Sequence, residues 1–132
     1  MISTRVASLS AWLFTGLGVT VIAFQLALAA GMPWGHLAMA GVYPGVFPIE
    51  MRIAAVAQAA VFGLMIAIVL GRAGVIEVPR VFLRLIWGVI VLMALSFGLN
   101  LITPSAEERL LWAPVAFGLL VSSLLVALAR RS

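Results

Sequence analysis

Three side-chain amides, one histidine and three glutamates are the groups in this chain whose chemistry could reach beyond packing. The amides are Gln25, Gln58 and Asn100, each set in an otherwise apolar stretch. A carboxamide both donates and accepts hydrogen bonds, and taking it out of water is costly unless partners are supplied. Inside a membrane such groups are expected either to bond one another across helices or to line a polar pocket. His36 is the single histidine, and the span layout developed below places Glu50, Glu107 and Glu108 at the same end of the molecule. Histidine beside a carboxylate suits acid–base chemistry, but no acid–base motif surrounds it. A metal centre would need three or four ligands and a supporting outer shell, and the sequence shows neither. Glu107 and Glu108 have a plainer role as acids in the first turn of a helix, as does Glu50. The sequence thus assigns no catalytic residue, no metal and no cofactor. Ser96, Ser122 and Ser123 read as packing hydroxyls, and the absence of cysteine removes thiolate and disulfide chemistry.

The elements that must position these groups are apolar helices. The 132 residues are 65% hydrophobic and 9% charged, whereas soluble domains carry about 25% charged residues. So short a chain in water could not bury that much apolar surface. Charged residues divide it into uncharged runs at 6–49, 53–71, 85–106 and 110–129. A bilayer core needs about 20 apolar residues as helix. The runs predict an all-α transmembrane four-helix bundle, a single integral membrane domain over residues 1–132. Its helices lie near 9–31, 50–71, 80–103 and 106–129, with a long loop over 32–48. Pro48, Pro79 and Pro104 stand just ahead of the second, third and fourth helices, where a missing N–H costs little. Ser105 and Glu108 have the spacing of a capping box, and Gly74 is a stop for the second helix. Trp12, Trp87, Trp34 and Trp112 fall towards helix ends, as in an interfacial belt.

Arginine counting gives a sidedness. Arg5, Arg72, Arg80, Arg84, Arg130 and Arg131 share one side, and Arg52 and Arg109 the other. The positive-inside rule then places both termini in the cytoplasm. Arginine without lysine in an Ala/Gly/Val/Leu-rich chain suggests a bacterial genome of high GC content, hence a multi-pass protein of the bacterial inner membrane. The net charge of +4 is scattered over span ends, which excludes a phosphate-tracking surface and nucleic acid as partner. Arg5, the apolar run after it and Ala27-Leu28-Ala29 resemble a signal peptide. The run exceeds the roughly 7–15 residues of such segments, so the first helix is expected to stay.

Two placements bear on function. Gln25, Gln58 and Asn100 all fall within about two turns of the outer boundary, on the order of 5–10 Å deep. Beneath the Pro- and Gly-rich loop, which carries Trp34 and His36, they make a candidate ligand pocket, with the loop as its cap. Small residues four apart on the second helix (Ala55, Ala59, Gly63, Ala67 and Gly71) make a candidate helix-packing face. The first helix has Ala23, Ala27 and Gly31 at that spacing, with Gln25 on the opposite side, as in a helix wedged between neighbours or one with a neighbour supplied by a second subunit.

The stretches QLALAAGMPWGHLAMAG (Gln25 to Gly41), PIEMR (Pro48 to Arg52) and LNLITPSAEERLLWAPV (Leu99 to Val115) resemble those of small, uncharacterised four-span membrane proteins of bacteria. The resemblance implies the four-span layout and assigns no residue a role. The expected function is helix–helix association with a second copy or another membrane protein, in contact with membrane lipids. The alternative is a binder or conduit for a small molecule or lipid, using the outer polar pocket.

Overall fold

The computed structural model describes residues 3–129, so Arg130 and Arg131 lie outside the described residues. Every regular element among them is helical: α1 (Thr4–Ala30), α2 (Ile49–Arg72), α3 (Arg80–Arg84), α4 (Ile86–Ile102) and α5 (Ala106–Leu128). Short 3-10 turns at Gly35–Leu37 and Met39–Gly41 lie in the long loop. Four helices are long and apolar enough to cross a membrane, the third being α3 and α4 together over Arg80–Ile102.

Local chemistry sets the boundaries. α1 begins well ahead of residue 9 because the Ser3 hydroxyl accepts from the Val6 N–H at 3.2 Å, capping an otherwise orphaned donor. It ends at Gly31, whose φ of 105° is cheap only for glycine. α2 follows Pro48, and the chain turns away through Gly74 at φ 82°. Leu85 hinges α3 to α4 with its backbone still in the helical region.

α1 packs between α2 and α5, and α4 packs on the far side of α5. Glycines permit the close approaches. A Cβ on Gly18 would lie 2.9 Å from Ile66 Cδ1, and one on Gly118 would lie 2.7 Å from Leu17 Cδ1. α1 is thus wedged between α2 and α5, but not through the Ala23/Ala27/Gly31 face: Ala23 is exposed and Gly31 meets the Arg52 side chain of α2. The small residues of α2 do not share one neighbour. Ala55 and Ala59 are buried, Gly63 is exposed with no atom within 4 Å of a would-be Cβ, and Gly71 meets Val78. A strict four-residue repeat advances about 40° per step around a helix of 3.6 residues per turn, so the series winds off any single face.

The core has two parts. At the end where α1 starts and α5 stops, Phe14, Met65, Val69, Ile86, Val89, Met93 and Val126 form one buried cluster drawn from all four spans. At the other end, hereafter the loop end, the buried cluster is Leu28, Phe47 and Ala55, with nothing from α4. α2 and α4 thus meet at one end and leave a wedge between them at the other.

Arginines fasten the helix ends. Arg52 Nε donates to the Ala29 carbonyl at 2.8 Å, and Arg109 Nη1 donates to the Thr103 carbonyl at 2.6 Å. Arg72 donates through Nη1 to Leu83 O (3.0 Å) and through Nη2 to Ala127 O (3.1 Å). Each takes a carbonyl that its own helix terminus leaves open.

Candidate functional site

The wedge at the loop end holds a cavity of about 190 Å³. Gln25 on α1 and Gln58 on α2 meet across it, Gln25 Nε2 donating to Gln58 Oε1 at 2.8 Å. Asn100 stands on the α4 side and donates to the Ser96 carbonyl at 2.8 Å and to its hydroxyl at 3.4 Å, one turn back. All three amides line the cavity, but Asn100 makes no hydrogen bond to the glutamines. The apolar part of the wall is aromatic and aliphatic, from Phe24, Phe47, Phe62, Trp112 and Leu119.

The long loop closes the top. Its residues Leu37, Ala38 and Met39 are cavity wall, and polar contacts hold them there. Trp112 Nε1 donates to the Leu37 carbonyl at 2.9 Å, and Ser105 Oγ donates to the His36 carbonyl at 3.2 Å. Within the loop the Gly35 N–H bonds the Gly45 carbonyl at 2.8 Å. A side chain on Gly35 would run into the Tyr43 carbonyl oxygen, so this fold-back admits only glycine. Met39 and Ala40 sit at φ 52° and 57°, a region costly for residues with a Cβ, and the turn they make brings the Ala40 N–H over α5.

Trp34 and His36 take supporting positions and are not among the cavity-lining residues. Trp34 stacks on Phe24 with ring centroids 6.3 Å apart and planes 5° from parallel, and Phe24 tilts onto Trp112 at 4.7 Å. His36 Nε2 lies 3.2 Å from Glu107 Oε2 on the surface, the two side chains being 45% and 71% exposed. Glu50 is exposed at the start of α2. Among the described residues no group of three potential metal ligands occurs.

Glu108 brings to the site what sequence reading did not anticipate. Ser105 caps α5 by accepting from the Glu108 N–H at 3.3 Å, which is one half of a capping box. The reciprocal half is not made. The Glu108 carboxyl turns instead towards the Ala40 N–H and the Thr103 hydroxyl. The residue is only 8% exposed, and its Oε2 has no hydrogen-bond partner. The ion pair formed among the described residues is His36–Glu107, and Glu108 has no share in it. A buried acceptor left unpaired is destabilising, and more so when charged, which makes this carboxyl an unusual thing to find in a cavity wall.

Glu108 also fronts a second space. An open cleft of about 550 Å³ runs along the flank of α4 past Leu92, Leu95, Leu99 and Ile102. It shares Met39, Ser96, Asn100 and Glu108 with the cavity. The sequence did carry a signal for this placement. Glu108, Trp112, Val115, Ala116 and Leu119 all line the cavity, and their spacing is that of one helix face. Glu108 simply heads the inward stripe of α5. No known protein family, characterised protein or solved structure matches this chain.

Proposed function

We propose that this is a multi-pass membrane protein whose loop-end cavity binds a small amphipathic molecule that arrives from the surrounding lipid. The observation that carries the reading is the Glu108 carboxyl, buried with Oε2 unpartnered in a wall that also presents Gln25, Gln58 and Asn100. An interior built only for helix association has no use for an unsatisfied carboxyl, since polar groups in lipid are costly unless paired. Size agrees with a compact occupant: an apolar cavity of about 150 Å³ takes up benzene, and this one measures about 190 Å³. The α4 cleft, which shares Glu108 with the cavity, supplies the route. The arginine distribution supports a sidedness with both termini in the cytoplasm and the cavity in the outer leaflet.

Three ring-sized probes test the reading: cyclohexylammonium, cyclohexanol and cyclohexanecarboxylate, each dialysed against the protein in nanodiscs with empty nanodiscs as the blank. At least one is expected to bind saturably, near one per chain, and to be lost in Ala54→Phe, which fills the cavity from the α2 side. Absence of saturable uptake for all three removes the reading.

Self-association along α2 stands as a second reading on one observation. Gly63 is exposed, and nothing lies within 4 Å of the position its Cβ would take, which leaves room for another helix backbone to approach.

A further inference from the structure

Resting on the binding-site reading, we infer that the occupant is an organic monocation, an ammonium group on a compact apolar body, seated with its charge against Glu108. Three features of the site lead there.

The first is a set of acceptors left open among the cavity-lining residues. Gln25 and Asn100 each spend a donor on the protein, to Gln58 Oε1 and Ser96 O. The Gln25 and Asn100 side-chain oxygens receive no hydrogen bond from the described residues. With Glu108 Oε2 they make three acceptors in one cavity wall. An ammonium brings donors and nothing else, and so complements them without leaving a lone pair of its own unmatched.

Charge is the second. A carboxyl withdrawn from water is either neutralised or paired with a counter-charge, and the neighbouring cations are committed elsewhere: Arg52 to the Ala29 carbonyl and Arg109 to the Thr103 carbonyl. The polar groups that approach the Glu108 carboxyl are the Ala40 N–H and the Thr103 hydroxyl, and neither carries a charge. A cation arriving from outside the chain completes what the fold leaves open.

The walls are the third. Phe24 and Trp112, tilted on one another with ring centroids 4.7 Å apart, line the same cavity as Glu108, and aromatic faces attract ammonium groups through their quadrupoles. The cleft extends the same logic along the path of entry. Its Leu95 and Leu99 side carries the apolar body while Asn100 and Glu108 meet the charged end.

The three probes, in nanodiscs of phosphatidylcholine so that no anionic headgroup competes for the amine, decide the matter. Cyclohexylammonium should bind about tenfold more tightly than cyclohexanol, as a charge-assisted bond exceeds a neutral one, and the carboxylate should not be retained. In Glu108→Gln the ammonium should fall to the affinity of the alcohol. Tighter binding of the alcohol or the carboxylate would show that Glu108 serves as a donor and would overturn the inference, leaving the binding site in place. An unchanged preference in Glu108→Gln would also overturn it. The rank order in the unmodified protein stands as a test by itself if that variant does not fold. Failure of every probe would strike instead at the binding-site reading.

Discussion

Replacing the two glutamines, singly and together, separates a polar pocket from polar glue. Gln25 Nε2 and Gln58 Oε1 are 2.8 Å apart, a full-strength N–H···O distance, and the bond joins half-buried Gln25 of α1 to exposed Gln58 of α2. Gln25→Leu or Gln58→Leu alone keeps the side-chain bulk but strands one amide, which should cost about 1–3 kcal/mol. The double variant removes both polar groups and fills the same space with hydrocarbon, so its stability should recover towards that of the parent. Measured interhelical bonds in membranes average about 0.6 kcal/mol and reach about 1.7. The coupling in a double-mutant cycle should therefore correspond to roughly 3- to 18-fold in the unfolding equilibrium. Reversible unfolding in mixed detergent micelles, followed by circular dichroism, gives the four free energies. Probe dialysis on the same samples should show the double variant folded but weakened in cyclohexylammonium binding. Strictly additive single costs would refute the reasoning about the pair. A stable double variant that binds as the parent does would show that these amides hold helices and do nothing for the cavity.

Three further outcomes are expected. Gly35→Ala places a methyl against the Tyr43 carbonyl, so the 32–48 loop should lose its fold-back at a cost of about 1–3 kcal/mol, read as faster hydrogen exchange of the Gly35 and Leu37 amides. Unchanged protection there would show that the loop has room to relax. Gly63→Leu should leave folding stability within about 0.5 kcal/mol, because its Cβ meets nothing; a fall in energy transfer between labelled copies in vesicles would then assign that face to self-association, and constant transfer would remove that second reading. The chain has no cysteine, so Val42→Cys and Ile76→Cys, both at exposed positions, report sidedness directly. An impermeant maleimide should label residue 42 on intact cells and residue 76 only after permeabilisation, and the reverse pattern would invert the proposed orientation.

The four spans were legible because charge punctuates this sequence: Arg52, Arg72, Arg84 and Glu107 mark where apolar helix meets polar boundary. Pro48, Pro79 and Ser105 then fix starts through chemistry that acts within one turn. The early start of α1 at Ser3 is just as local, yet Arg5 masked it by suggesting a boundary further on. What could not be read was pairing. Lipid-exposed and helix-facing residues are equally apolar, so α4 gives no sequence sign that it joins the core through Ile86, Val89 and Met93 and stands clear of α2 further along. The depth of Gln25, Gln58 and Asn100 was accessible from span arithmetic, but not the fact that Asn100 bonds within its own helix. Glu108 was hidden by a sufficient local explanation, its place in the first turn of α5. Its burial depends on contacts some 70 residues distant, between Ser105 and His36 and between Trp112 and Leu37, which no short-range rule contains.

The guanidinium of Arg72 holds Leu83 O on α3 and Ala127 O on α5 at once. Two helix ends tied to one rigid planar fork cannot fray independently, so their amides should open to exchange as a unit. Lysine at this position would carry the same charge, yet a single flexible ammonium is a poor match for two fixed oxygens. Arg72 thereby couples α2 to residues 11 and 55 positions away in sequence, a knot that tightens only after those helices have arrived.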